Sequence, residues 1–100
     1  MPRKIDLITE MYCETLKRVS KDSTAWKSFL RTVAFQYKYS FDDQILIHAQ
    51  RPHAIACAEL DLWNKHFGRR VKRGSIGIAL IMESNGHSYL RHVFDIGDTY

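Results

Sequence analysis

The chain has 100 residues, 45% of them hydrophobic and 26% charged, which fits one globular domain and excludes a disordered tail. Lys and Arg total 15 against 11 Asp and Glu, a net charge of +4, an excess that permits a polyanionic partner without requiring one. No apolar run reaches the ~20 residues of a membrane span and no signal-peptide core follows the first residues, so no membrane partner is expected and the expected location is the cytoplasm.

The first half carries helical periodicity. Ile5, Ile8, Met11, Tyr12, Leu16 and Val19 recur at offsets of three and four and form one helical stripe. Residues 20–23 break it and supply cap residues for a second helix. There Trp26, Phe29, Leu30, Val33, Ala34 and Tyr37 share a face, leaving Lys27, Arg31 and Gln36 for solvent. Ser40 reads as the N-cap of a third helix, with Asp42 and Asp43 in its first turn, where the helix dipole favours anions. That helix ends near Arg51, because Pro52 disfavours helix in the residue before it. Small residues fill 54–58. A short amphipathic helix follows, with Leu60, Trp63 and Phe67 on one side and Gly68 as its C-terminal cap.

The second half changes period. Residues 69–74 read as a basic strand or extended turn. Residues 76–84 are rich in β-formers, and Asn85-Gly86 is a strong hairpin signal leading into a return strand over 87–94. The strand around Val71 is expected to join this hairpin. The expected fold is α+β: three to four N-terminal helices packed on a small antiparallel sheet that contains a C-terminal β-hairpin. Residues 1–100 form a single domain, expected to be a fragment of a longer protein.

Signatures of catalysis are missing: no HExxH, no phosphate-binding Gly-rich loop, no GxSxG and no metal-spaced Cys/His cluster. The five histidines are scattered, and His87 and His92 fall on opposite faces of one strand. Cys13 and Cys57 read as buried free thiols. The expectation is a non-enzyme without cofactor or metal.

Two segments carry binding chemistry. Residues 63–77 hold Lys65, Arg69, Arg70, Lys72 and Arg73, punctuated by glycines and led by Trp63 and Phe67. Guanidinium forks bind phosphate oxygens, and glycines let the main chain approach; a solvated edge strand, charged against aggregation, fits the same residues. Residues 35–44 pack Phe35, Tyr37, Tyr39 and Phe41 into a helix junction. Exposed aromatics stack on unpaired bases, although Tyr37 also continues the core stripe of the second helix. Gln44, Gln50 and Arg51 follow at polar helix positions within reach of bases or phosphates.

Taken together, residues 37–47, Gln50-Arg51-Pro52, residues 56–58, Trp63-Asn64 and a Gly-Arg-x-Val-x-x-Gly-x-x-Gly-Ile run from Gly68 to Ile78 resemble the N-terminal domain of large conjugative-element proteins. That domain is similar in turn to the N-terminal domain of ArdC-like antirestriction proteins. The resemblance implies single-stranded DNA binding in DNA transfer or antirestriction, without catalysis. It implies phosphate contacts at Arg69 and Lys72, structural roles for Val71 and Trp63, and added charge at Arg70 and Arg73. The expected DNA-binding set is Arg69, Arg70, Lys72, Arg73, Lys65, Tyr37, Tyr39, Phe41, Gln44 and Arg51. The alternative is a protein-interaction module that docks on downstream domains of its own polypeptide or inhibits a host defence nuclease.

Overall fold

The computed structural model describes residues 2–100. Three helices come first: α1 (Lys4–Lys21), α2 (Ser23–Phe35) and α3 (Phe41–Gln50). A two-residue strand β1 (Cys57–Ala58) and a short helix α4 (Leu60–Lys65) precede the hairpin of β2 (Ile78–Ser84) and β3 (His87–Asp95). The sheet is antiparallel throughout, in the order β1-β3-β2. The fold is the α+β arrangement expected, with the hairpin at its C-terminal end.

The local signals act where they were read. Asp22 alone separates α1 from α2, and its carboxylate accepts from the Thr24 N–H at 2.9 Å. Ser40 caps α3 by accepting from the Asp43 N–H. Asn85 and Gly86 both have positive φ, 51° and 79°, as a type I′ turn demands. The α1 stripe faces inward as predicted, Ile8 and Val19 fully buried, with Thr15 added to it. Ile8 joins Leu46, Ile47, Ile78, Leu80 and Val93 in the core between helices and sheet. Val19 packs with Phe29 and Ile45 in a second cluster among the helices.

Four expectations are corrected. The buried face of α2 runs through Phe29 and Thr32, and Gln36 continues it just past the helix end; Trp26, Leu30 and Tyr37 are exposed. The helix ends at Phe35, and Gln36 turns inward to donate to the Ala54 carbonyl while its own carbonyl accepts from Gln44 Nε2. Of the α4 stripe, only Trp63 is buried; its indole N–H donates to the Phe94 carbonyl at 2.9 Å, and Leu60 and Phe67 stay in solvent. The strand at Val71 does not join the hairpin but pairs with the exit segment, Val71 opposite Thr99; the third strand of the sheet is β1, in the small-residue stretch. Cys13 is exposed and Cys57 half-buried, both free.

Asp95 explains how so short a strand is held. Its Oδ1 accepts from the Ile55 and Ala56 N–H groups, and its Oδ2 from the Gly97 N–H. One carboxylate thus fastens residues 55–57 to the end of β3. Among the described residues no helix is long and apolar enough to cross a membrane.

Candidate nucleic-acid interface

The basic residues lie on a loop over residues 69–77 that the end of the chain holds in place. Arg70 and Tyr100 exchange two backbone hydrogen bonds of 2.9 Å, and the Lys72 N–H donates to the Asp98 carbonyl at 2.7 Å. Beyond this short ladder the chain turns back: the Ser75 N–H donates to the Lys72 carbonyl, and Gly74 takes φ 85°, the value a type II turn needs at its third residue. Arg73 therefore sits at the tip of the turn, exposed, with Arg70 and Lys72 also exposed on its stem. The Lys72 ammonium lies 3.3 Å from the Gly97 carbonyl.

Arg69 is different. Its Nε donates to Thr99 Oγ1 at 2.7 Å and its Nη2 to the Thr99 carbonyl at 3.3 Å. The guanidinium is half-buried and occupied, so its role in the fold is to hold the loop to the exit segment. Arg51 is likewise engaged, paired with Asp98 at 2.9 Å and donating to the Ile76 carbonyl.

The aromatic residues gather at a groove of about 310 Å³ between the α2–α3 junction, the 55–58 stretch and α4. Phe35, Tyr37 and Phe67 line it, together with Ile55 and Leu62. Tyr37 is 71% exposed and Phe67 59%, so each presents most of a ring to solvent. The Lys38 ammonium stands 5.9 Å from the centre of the Tyr37 ring, within cation–π range. Tyr39 forms part of the wall, its hydroxyl donating to the Cys57 carbonyl at 2.8 Å. Burial pushes its phenol up to about 12, so the hydroxyl remains a donor across the physiological range. Lys65 lies in an adjoining groove of about 340 Å³ that shares Tyr39, Ala58 and Leu62 with the first.

The structure thus gathers Tyr37, Tyr39 and Lys65 around two joined grooves, and the chain runs from Phe67 in the groove wall directly into the Arg70–Lys72–Arg73 loop. Phe41 stands apart, its ring edge-on to Phe29 at 5.7 Å. Gln44 is not the solvent-facing residue expected: it is buried, its amide spent on the Gln36 carbonyl at 2.9 Å. Phe35, Phe67 and Lys38 join the site from outside the expected set. Helix α2 stops at Phe35, so Gln36 turns inward while Phe35 and Tyr37 on either side of it stay exposed.

Compared with known proteins, the chain matches no family model, no curated protein and no solved structure.

Proposed function

We propose that this chain is a binding module for single-stranded DNA, without sequence preference along most of its track and without catalysis of its own. The observation that carries the reading is the groove: three exposed aromatic rings, Phe35, Tyr37 and Phe67, border one depression, and the chain runs on from Phe67 into the loop that carries the exposed Arg70, Lys72 and Arg73. Every base has a π-face, so a row of open rings takes unpaired bases regardless of sequence. The cations of that loop meet the sugar-phosphate chain. A duplex keeps its bases stacked internally and gains only the electrostatic part. The resemblance to ArdC-like N-terminal domains supports the same reading and suggests a cytoplasmic role in handling or protecting transferred DNA.

Fluorescence anisotropy with labelled single-stranded and double-stranded DNA, at low and moderate salt, tests it. Binding that favours the single strand and weakens steeply with salt is expected. Folded protein that binds neither would overturn the reading.

The apolar side chains of Ile55 and Leu62 in the same groove favour a second reading, a protein-interaction module for an extended apolar segment of its own polypeptide or of a host defence protein. Specific retention of a protein from nuclease-treated host lysate, in the absence of DNA binding, would select it.

A further inference from the structure

The adjoining groove has a different character from the aromatic one. It is lined by Tyr39, Ala58 and Leu62 and by the polar side chains of Glu59, Asp61, Lys65, His66 and Arg91. Glu59 and Arg91 neutralise each other through a 3.0 Å ion pair. Asp61 and Lys65, one turn apart on α4, are exposed and make no ion pair among the described residues. Residues four apart on a helix lie side by side, so this groove offers the two acceptor oxygens of a carboxylate next to one ammonium donor. A carboxylate beside a surface meant for a polyanion opposes binding unless it makes a contact of its own.

Among the four bases, guanine alone presents two adjacent donors, N1–H and the N2 amino group, followed by the O6 acceptor. A carboxylate takes both donors at once, and lysine is a standard partner for O6. Adenine and cytosine each offer a single amino group with an acceptor beside it, which a carboxylate repels. Thymine offers one N–H flanked by two carbonyls, with the same outcome. We infer that this groove is a guanine subsite, in which the ring lies against Tyr39 and Leu62, Asp61 accepts from N1 and N2, and Lys65 donates to O6. The inference deepens the single-strand reading and rests on it for its biological setting: one position along the bound strand is read, while the aromatic groove and the basic loop accept any sequence.

The test has two arms. In the first, the protein is titrated with GMP, AMP, CMP and UMP, and backbone amide shifts are followed by NMR. GMP is expected to shift Tyr39, Leu62 and the residues of α4, with the other three nucleotides weaker at these positions. In the second, anisotropy compares oligo-dT with the same oligomer carrying one dG, dA or dC. The dG oligomer is expected to bind about 10-fold tighter, and Asp61→Asn to remove that advantage without lowering affinity for oligo-dT. Equal shifts with all four nucleotides, or oligo-dT binding with no dG advantage, overturn the subsite and leave the single-strand reading intact. GMP-selective shifts at these residues without any oligomer binding support the subsite and overturn the single-strand reading.

Discussion

The guanidinium of Arg69 is held by Thr99, 30 residues away, through its Nε on the hydroxyl and its Nη2 on the carbonyl. Thr99 is itself buried, and its hydroxyl donates onward to the Ile96 carbonyl at 2.7 Å. A charge-assisted hydrogen bond at a half-buried site contributes about 1.5–3 kcal/mol. Arg69→Ala and Thr99→Val are therefore each expected to lower the unfolding free energy by roughly 1–3 kcal/mol, measured by urea denaturation. Their effects should not add, because both break the same interaction. An Arg69→Ala protein of undiminished stability and reduced DNA affinity would put this guanidinium on the DNA instead.

Arg70 and Arg73 are the counterpart. Their side chains reach solvent, so alanine at either is expected to change stability by no more than about 0.5 kcal/mol. Removing one cation from a phosphate should flatten the slope of log affinity against log salt by about 0.7 for a single strand. Anisotropy at four or five salt concentrations checks this. An unchanged slope in the double variant would remove the loop from the interface.

Aromatic residues divide into two groups by what their rings touch. Tyr37 presents an open ring, and Phe67 leans on Trp63 at 5.3 Å while leaving its outer face free. Tyr37→Ala and Phe67→Ala are each expected to weaken single-strand binding by about 1–3 kcal/mol, the worth of one stacked base. Phe41→Ala should leave affinity unaltered and lower stability, since its ring packs on Phe29. The opposite pattern, with Phe41 critical and Tyr37 neutral, would relocate the interface to the start of α3.

What the sequence made legible were features decided within a few residues: the α1 stripe, the Asp22 and Ser40 caps, the Asn85-Gly86 turn. Glutamines escaped it. Gln36, Gln44 and Gln50 read as solvent-facing because amides are polar, yet each has its amide on a backbone group of another segment, partners up to 29 residues distant. The basic loop was visible as charge, but the partner of Val71 was not. A single bridge carries no pattern of its own, and the β-rich hairpin looked the stronger acceptor. The aromatic groove was half visible. Helical spacing drew Tyr37 into the core stripe, whereas the chain leaves the helix two residues earlier and turns that ring outward.

Gln50 illustrates the energetic weight of such an amide. Its Nε2 donates to the Ala79 carbonyl at 2.9 Å, and its Oε1 accepts from the Ala79 N–H at 2.9 Å. The side chain takes the place of a neighbouring strand along β2, and Ala79 is itself buried. Gln50→Leu leaves an N–H and a C=O without partners, at about 1–3 kcal/mol each. A loss of roughly 2–4 kcal/mol in urea denaturation is expected, with faster hydrogen exchange at Ala79. Gln50→Glu, which can accept but not donate while ionised, should recover part of the exchange protection at low pH, where the protonated acid supplies the missing donor.

Acid sensitivity should trace to His48. Its ring is buried edge-on to Phe29 at 5.6 Å, with Nδ1 2.8 Å from the Thr32 hydroxyl. Burial holds its pKa below the ordinary 6.5, with Arg18 and His53 adding to the effect. His92, lowered by burial and by Lys4, acts in the same direction. Between the lowered folded value and 6.5 the unfolded chain binds more protons than the folded one, so stability rises with pH through that window and is lost as pH falls. Above 6.5 both states hold a neutral ring and the dependence vanishes. Asp43 works the other way: burial raises its pKa, so its neutral form is the one the fold favours, and acid adds stability there. Urea midpoints are thus expected to be flat from pH 8 to 7 and to fall from pH 6.5 towards 5 against this opposing carboxyl. His48→Gln should remove part of that fall and His92→Gln a further part. A fall of full size in the double variant would overturn the assignment to these two rings.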